Sequence, residues 1–190
     1  KVSACGKLTD TIAADISDYP STANFGDPFK NYYKEDIYVG YRYFETFARD
    51  KVLYPFGYGL SYTTFETKAE IFKNTEDELT VSATVTNTGS VKGKEVVQVY
   101  AKVPQGKLGN PARKLIGFAK TQELAPGEKE ELCIIIPKYD MASYDDSGVT
   151  GHKSCYVLEE GTYEIFVGSD VRNAQPAGSY EEKFRVMEEL

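Results

Sequence analysis

From residue 66 onward the chain alternates apolar and polar side chains with period two, a pattern that few folds satisfy. In "ELTVSATVTNTGS", Leu79, Val81, Ala83 and Val85 take one face and Thr80, Ser82, Thr84 and Thr86 the other. "KEVVQVYAKVP" repeats the pattern, with Val97, Val99, Ala101 and Val103 opposite Gln98, Tyr100 and Lys102. "EELCIIIP" offers Leu132, Ile134 and Ile136, and "GTYEIFVGSD" offers Tyr163, Ile165 and Val167. "YEEKFRVME" closes with Phe184 and Val186. Successive side chains of a strand point to opposite faces, so each segment predicts a half-buried strand. Asn87-Thr88-Gly89, Pro126-Gly127 and Glu160-Gly161 supply turns between them.

Strands with one apolar face each must bury those faces together. Two antiparallel sheets packed about 10 Å apart do so, whereas a single open sheet leaves one apolar face wet. The span suits an all-β, immunoglobulin-like or fibronectin III-like β-sandwich. Residues 1–64 follow no such period. They carry Tyr41, Tyr43, Phe56, Tyr58 and many more aromatics among few aliphatic residues. Each aromatic buries much area, and each Tyr keeps a polar tip that needs a partner. The segment therefore predicts an irregular, aromatic-rich arm laid across another surface, either the sandwich or a part of the protein outside these residues.

Composition narrows the partners. A net charge of −7 argues against a nucleic-acid surface, which needs clustered Lys and Arg. No run approaches the roughly 18–20 apolar residues of a membrane span. Cys5, Cys133 and Cys155 lack C-x-x-C spacing, so neither a zinc knuckle nor a disulfide framework is indicated, and no metal or other cofactor is expected. Cys133 lies inside the apolar run 132–136 and Cys155 opens 155–158, which predicts reduced, mostly buried thiols. The chain starts at Lys1 with no signal-peptide pattern and reads as trimmed from something longer.

Several constellations invite chemistry and do not support it. "YPFGYGLSYTTF" supplies Gly57 and Gly59 of a G-x-G-x-x-G fingerprint, but Tyr62 replaces the third glycine and strand formers follow. A tight aromatic turn leading into a strand is the better reading. Glu35 and Asp36 are adjacent, so on a strand they would face opposite ways, unlike a glycosidase pair about 5–9.5 Å apart. Asp140, Asp145 and Asp146 miss the EF-hand spacing and read as a solvated loop. His152 is the chain's single histidine, and Ser154 beside it has no G-x-S-x-G elbow. Arg42, between Tyr41 and Tyr43, can stack or grip a carboxylate bidentately, and it is expected to lock an inter-domain contact.

With those residues laid out, the chain resembles the C-terminal part of a family 3 glycoside hydrolase, the β-glucosidase family. "YYKEDIYVGYRYFE" (32–45) is similar to the segment leading away from the family's α/β sandwich domain, and "LYPFGYGLSYTTFE" (53–66) to the lead-in to its fibronectin III-like domain. "VTNTGSVKGKEVVQVYAKVP", "RKLIGFAKTQELAPGEKEEL", "YDMASYD" and "EEGTYEIFVGSDVRN" are similar to that domain's strands and turns. The resemblance implies that residues 1–64 are the tail of the α/β sandwich domain plus a linker arm, and that residues 65–190 are the fibronectin III-like domain. It also implies a parent that hydrolyses β-glucosides with retention, using an Asp nucleophile on a (β/α)8 barrel. Neither of the family's catalytic motifs is present, so no catalytic residue carries over to this segment.

The expected role is therefore structural. The module packs against the remaining domains or a second chain of the same enzyme and shapes the active-site rim, with Tyr41, Arg42, Tyr43, Phe56 and Tyr58 as candidate interface residues. A carbohydrate-binding β-sandwich without a catalytic partner is the alternative, and the absence of Trp counts against it. An adhesion module of the same fold is a further rival.

Overall fold

The computed structural model describes residues 2–190. In chain order the elements are β1 (Ile12–Ala13), α1 (Tyr41–Phe47), β2 (Val52–Tyr54), β3 (Phe65–Asn74), β4 (Glu78–Asn87), β5 (Val96–Lys102) and β6 (Lys114–Lys120). They continue with β7 (Lys129–Pro137), β8 (Ser143–Asp145), β9 (Cys155–Leu158), β10 (Gly161–Gly168), β11 (Gln175–Glu182) and β12 (Arg185–Glu189). Short 3₁₀ turns punctuate the arm and the β7–β8 connection.

The sandwich follows directly from the alternation. One sheet has the order β3-β4-β7 and the facing sheet β11-β10-β5-β6, all pairs antiparallel. Leu79, Val81, Ala83 and Val85 from β4 meet Val97, Val99 and Ala101 from β5, with Ile134, Ile136, Tyr163 and Ile165 completing one core. Each large aliphatic buried there contributes about 1.5–3 kcal/mol relative to exposure. A third sheet, β12-β9-β8, flanks the sandwich, and β1 pairs with β2 within the arm.

Three sequence expectations need correction. "YEEKFRVME" is not one strand: β11 ends at Glu182 and β12 starts at Arg185. Phe184 and Val186 are exposed, and Met187 packs on the core in their place. Cys133 is exposed, because on β7 it lies between the inward residues Leu132 and Ile134 and so faces solvent, opposite Ser82. Cys155 is buried as expected, and burial pushes its thiol pKa up. Finally, the arm is not wholly irregular. Residues 41–47 form a helix that starts at Gly40 and ends where the Ala48 N–H returns to the Phe44 carbonyl.

Candidate functional site

The residues singled out in the arm converge on the outer face of β5 and β10. Strand alternation aims Tyr100 and Phe166 outward, toward what would be solvent in a bare sandwich. Both are buried, and with Val171 and Ala174 they form a second small core against which Tyr41, Phe56 and Leu115 pack. The Tyr41 ring lies 4.6 Å from Phe56 and meets Tyr100 edge-on at 6.3 Å. Its hydroxyl accepts the Leu115 N–H at 2.8 Å, where the β5–β6 register shifts between Val99 and Tyr100. The Tyr100 hydroxyl donates to Gln98 Oε1, and Gln98 Nε2 donates to the Ser169 carbonyl at 2.8 Å. Burial beneath the arm, with Tyr41 next to it, holds the Tyr100 phenol far above the usual range.

The opening Gly-x-Gly stretch is the fulcrum of this contact. Gly57 has φ +84°, and a Cβ there would lie 2.6 Å from both polar atoms of the Gln98 amide and 2.8 Å from the Asp170 Cα. Its N–H donates to the Leu8 carbonyl, the Leu8 N–H donates to Tyr58, and the Val171 N–H donates to Phe56. A Cβ on Gly59 would meet the Gly6 carbonyl oxygen at 2.3 Å. These glycines serve close backbone approach and not a pyrophosphate.

Helix α1 is clasped to the β10–β11 loop by charge. Glu45, with its side chain 4% exposed, accepts Arg172 Nε at 2.9 Å and Arg49 Nε at 3.0 Å. Arg172 Nη2 also donates to the Arg49 carbonyl. Thr46 Oγ1 accepts the Ala112 N–H at 2.9 Å, and the Arg113 guanidinium stacks 3.5 Å over Phe166. The lock between the arm and the sandwich within this chain is made by Glu45 and Arg172, which the sequence reading did not single out. The E-x-x-x-R spacing of Glu45 and Arg49 is the one local signal, and it means something only once residues 41–47 are known to be helical.

Arg42 instead lines a cavity of about 410 Å³ with Asp36, Ile37, Lys114, Tyr144 and Tyr156 among its walls. Lys114 Nζ donates to the Ala142 carbonyl at 2.8 Å, and burial, then the Arg42 charge, lowers its pKa to about 8. Tyr43 packs edge-on to Phe44, and Tyr58 against Tyr54. Farther along the arm, Phe25, Phe29, Tyr33 and Tyr62 are 90%, 92%, 87% and 78% exposed.

The carboxylates behave differently from expectation. Glu35 and Asp36 belong to a turn, not a strand, and Asp36 has φ +51°. Asp145 is not solvated: it is fully buried and accepts hydrogen bonds from Ser147, Gly148, Val149 and Thr150. Burial alone would raise its pKa, but those bonds, led by Thr150, outweigh burial and hold the carboxyl well below the usual range. Asp145 organises its loop. Asp146 stays exposed. Among the described residues no group of His, Cys, Asp and Glu is arranged to hold a metal. His152 stacks on Phe184 at 5.3 Å.

An antiparallel β-sandwich whose outer face is clamped by an aromatic arm, with further aromatics left bare, defines an accessory module of a larger protein. Residues 95–171 match the fibronectin type III-like domain family. Over its whole length the chain is 53% identical to a β-glucosidase of Ruminococcus albus, of which it covers 20%. The fold superposes with a TM-score of 0.94 on the β-glucosidase of Paenibacillus barengoltzii, at 55% identity, covering 100% of this chain and 22% of that one. The corresponding values for the GH3 β-glucosidase of Bifidobacterium adolescentis are 0.84, 34%, 96% and 26%. The chain spans about a fifth of the length of the curated relatives it matches. By these likenesses the chain corresponds to a segment of family 3 glycoside hydrolases of the β-glucosidase type. These matches favour an accessory segment over a free-standing carbohydrate-binding module.

Proposed function

We propose that this chain docks against the catalytic domains of its parent enzyme, a (β/α)8 barrel and an α/β sandwich, and that the whole enzyme hydrolyses β-glucosides with retention. Residues 1–64 are the end of the α/β sandwich domain with a linker arm, and residues 65–190 are the fibronectin III-like domain. Tyr41 and Phe56 hold the arm on the sandwich, while Arg42, Tyr43 and Tyr58 sit where the arm turns toward the rest of the enzyme. The observation that carries this reading is the bare aromatic surface of the arm at Phe25, Phe29, Tyr33 and Tyr62. Soluble monomers rarely leave contiguous apolar patches above a few hundred Å² exposed.

Hydrogen exchange over residues 25–64 tests the reading. Slow exchange in the full-length polypeptide and at least tenfold faster exchange in the excised chain is the expected result. Equal, strong protection in both would mean that the arm is self-sufficient and would overturn the docking. The excised 190-residue chain should also show no turnover of an aryl β-glucoside, since neither of the motifs that carry the family's paired carboxyls is present in it. Turnover that disappears on substituting one of its own residues would contradict that.

A further inference from the structure

The cavity between α1 and the β8–β9 pair holds two cations, Arg42 and Lys114, that make no direct ion pair among the described residues. Arg42 enters it from α1 and Lys114 from the start of β6. The Lys114 ammonium has a single backbone carbonyl, that of Ala142. Asp36 and Asp146 stand at the mouth, both exposed, and pair with neither cation. The walls add Tyr144 and Tyr156, whose ring centroids lie 5.0 Å apart. Two like charges sharing a partly desolvated space destabilise each other, and a guanidinium beside an ammonium is the donor set that grips a carboxylate.

We propose that this cavity is the seat for a carboxylate side chain, Asp or Glu, from the part of the same polypeptide that lies outside these 190 residues. The proposal rests on the docking reading above and deepens it by naming the anchoring chemistry. The occupant is protein because the relatives carry about four fifths of their length outside the matched segment. The cavity wall also includes Asp36 and Ile37, from the same loop that presents the bare Phe29 and Tyr33. Burial and the Arg42 charge hold the Lys114 pKa at about 8, with Asp140 opposing them in part.

Zero-length carbodiimide coupling on the full-length polypeptide tests this directly, because it joins an amine to a carboxylate only where the two touch. Peptide mapping should find Lys114 coupled to an Asp or Glu outside this chain, with the yield falling at least fivefold in Arg42→Ala and largely restored in Arg42→Lys. Coupling of Lys114 only to Asp36, Asp146 or Asp140, or no coupling at all, would overturn the seat. So would saturation of the excised chain by millimolar glucuronate that shields Lys114 from acylation, because the cavity would then be a small-acid site. The hydrogen-exchange comparison separates the two ideas. Protection of residues 25–64 in the full-length polypeptide without the Lys114 coupling sinks the seat alone, and loss of that protection sinks the docking as well.

Discussion

Asn87→Ala is expected to lower the unfolding free energy of this chain by about 3–4 kcal/mol, a size reserved for a short list of mechanisms. The mechanism here is a buried polar hub. Asn87 ends β4 with no exposure, and its Nδ2 donates to the Val91 and Leu124 carbonyls at 2.9 Å each. Its Oδ1 accepts the Thr63 hydroxyl at 2.7 Å and the Gly89 N–H at 3.1 Å. Truncation leaves the buried Thr63 hydroxyl without its acceptor and the part-buried Val91 carbonyl and Gly89 N–H without their partner, while the Leu124 carbonyl keeps the Gly93 N–H. Each buried loss costs about 1–3 kcal/mol before relaxation. Asn87→Asp should cost as much, because it turns an oxygen toward two carbonyls that need a donor. Thr63→Val removes one bond and should cost only about 1 kcal/mol. Urea melts of the three variants decide the matter, and a loss below about 1 kcal/mol for both Asn87 variants would refute the hub.

Gly57→Ala should detach the arm while leaving the sandwich folded. The positive φ alone costs an L-residue roughly 1–2 kcal/mol. The new Cβ would also stand 2.8 Å from the Asp170 backbone, which cannot swing aside as a side-chain tip can. Overpacking of this kind adds about 1–3 kcal/mol, for a total near 3. Gly26 provides the control, having φ +88° but nothing within 4 Å of its Cβ. Its Ala variant should lose only the conformational part. Limited proteolysis near residues 40–60 should accelerate strongly for Gly57→Ala and slightly for Gly26→Ala. Equal acceleration in both would show that close packing at Gly57 contributes nothing.

What was legible in the sequence was whatever a period of two can encode. β4, β5, β7 and β10 put Val81, Val99, Ile134 and Ile165 inward as the alternation requires. The same rule, applied within β7, would have put Cys133 outside. Reading "LCIII" as an undivided apolar run hid that. The arm resisted because its information is tertiary. Helix α1 buries only Phe44 and Glu45 of its seven residues, so no amphipathic stripe announces it. Tyr100 and Phe166 look like solvent-facing positions until the arm covers them. Asp145 looks like one more loop carboxylate until its neighbours' N–H groups close around it. In each case the missing fact was a partner distant in the chain or a local backbone shape that residue type alone does not specify.

The Glu45–Arg172 clasp has a consequence for the order in which the molecule is completed. Its partners are 127 residues apart, so during synthesis the arm waits for the β10–β11 loop. At ribosomal rates of about 5–20 residues per second, that delay is roughly 6–25 s. During it Tyr41 and Phe56 have no finished surface to lie on, while β3, β4, β5 and β7 can already pair. The clasp therefore belongs after the folding transition state of the sandwich and not within it. Losing it leaves refolding of the strands nearly as fast and shows up instead as quicker unfolding, so the arm acts as a latch on the lifetime of the fold more than as a guide to reaching it.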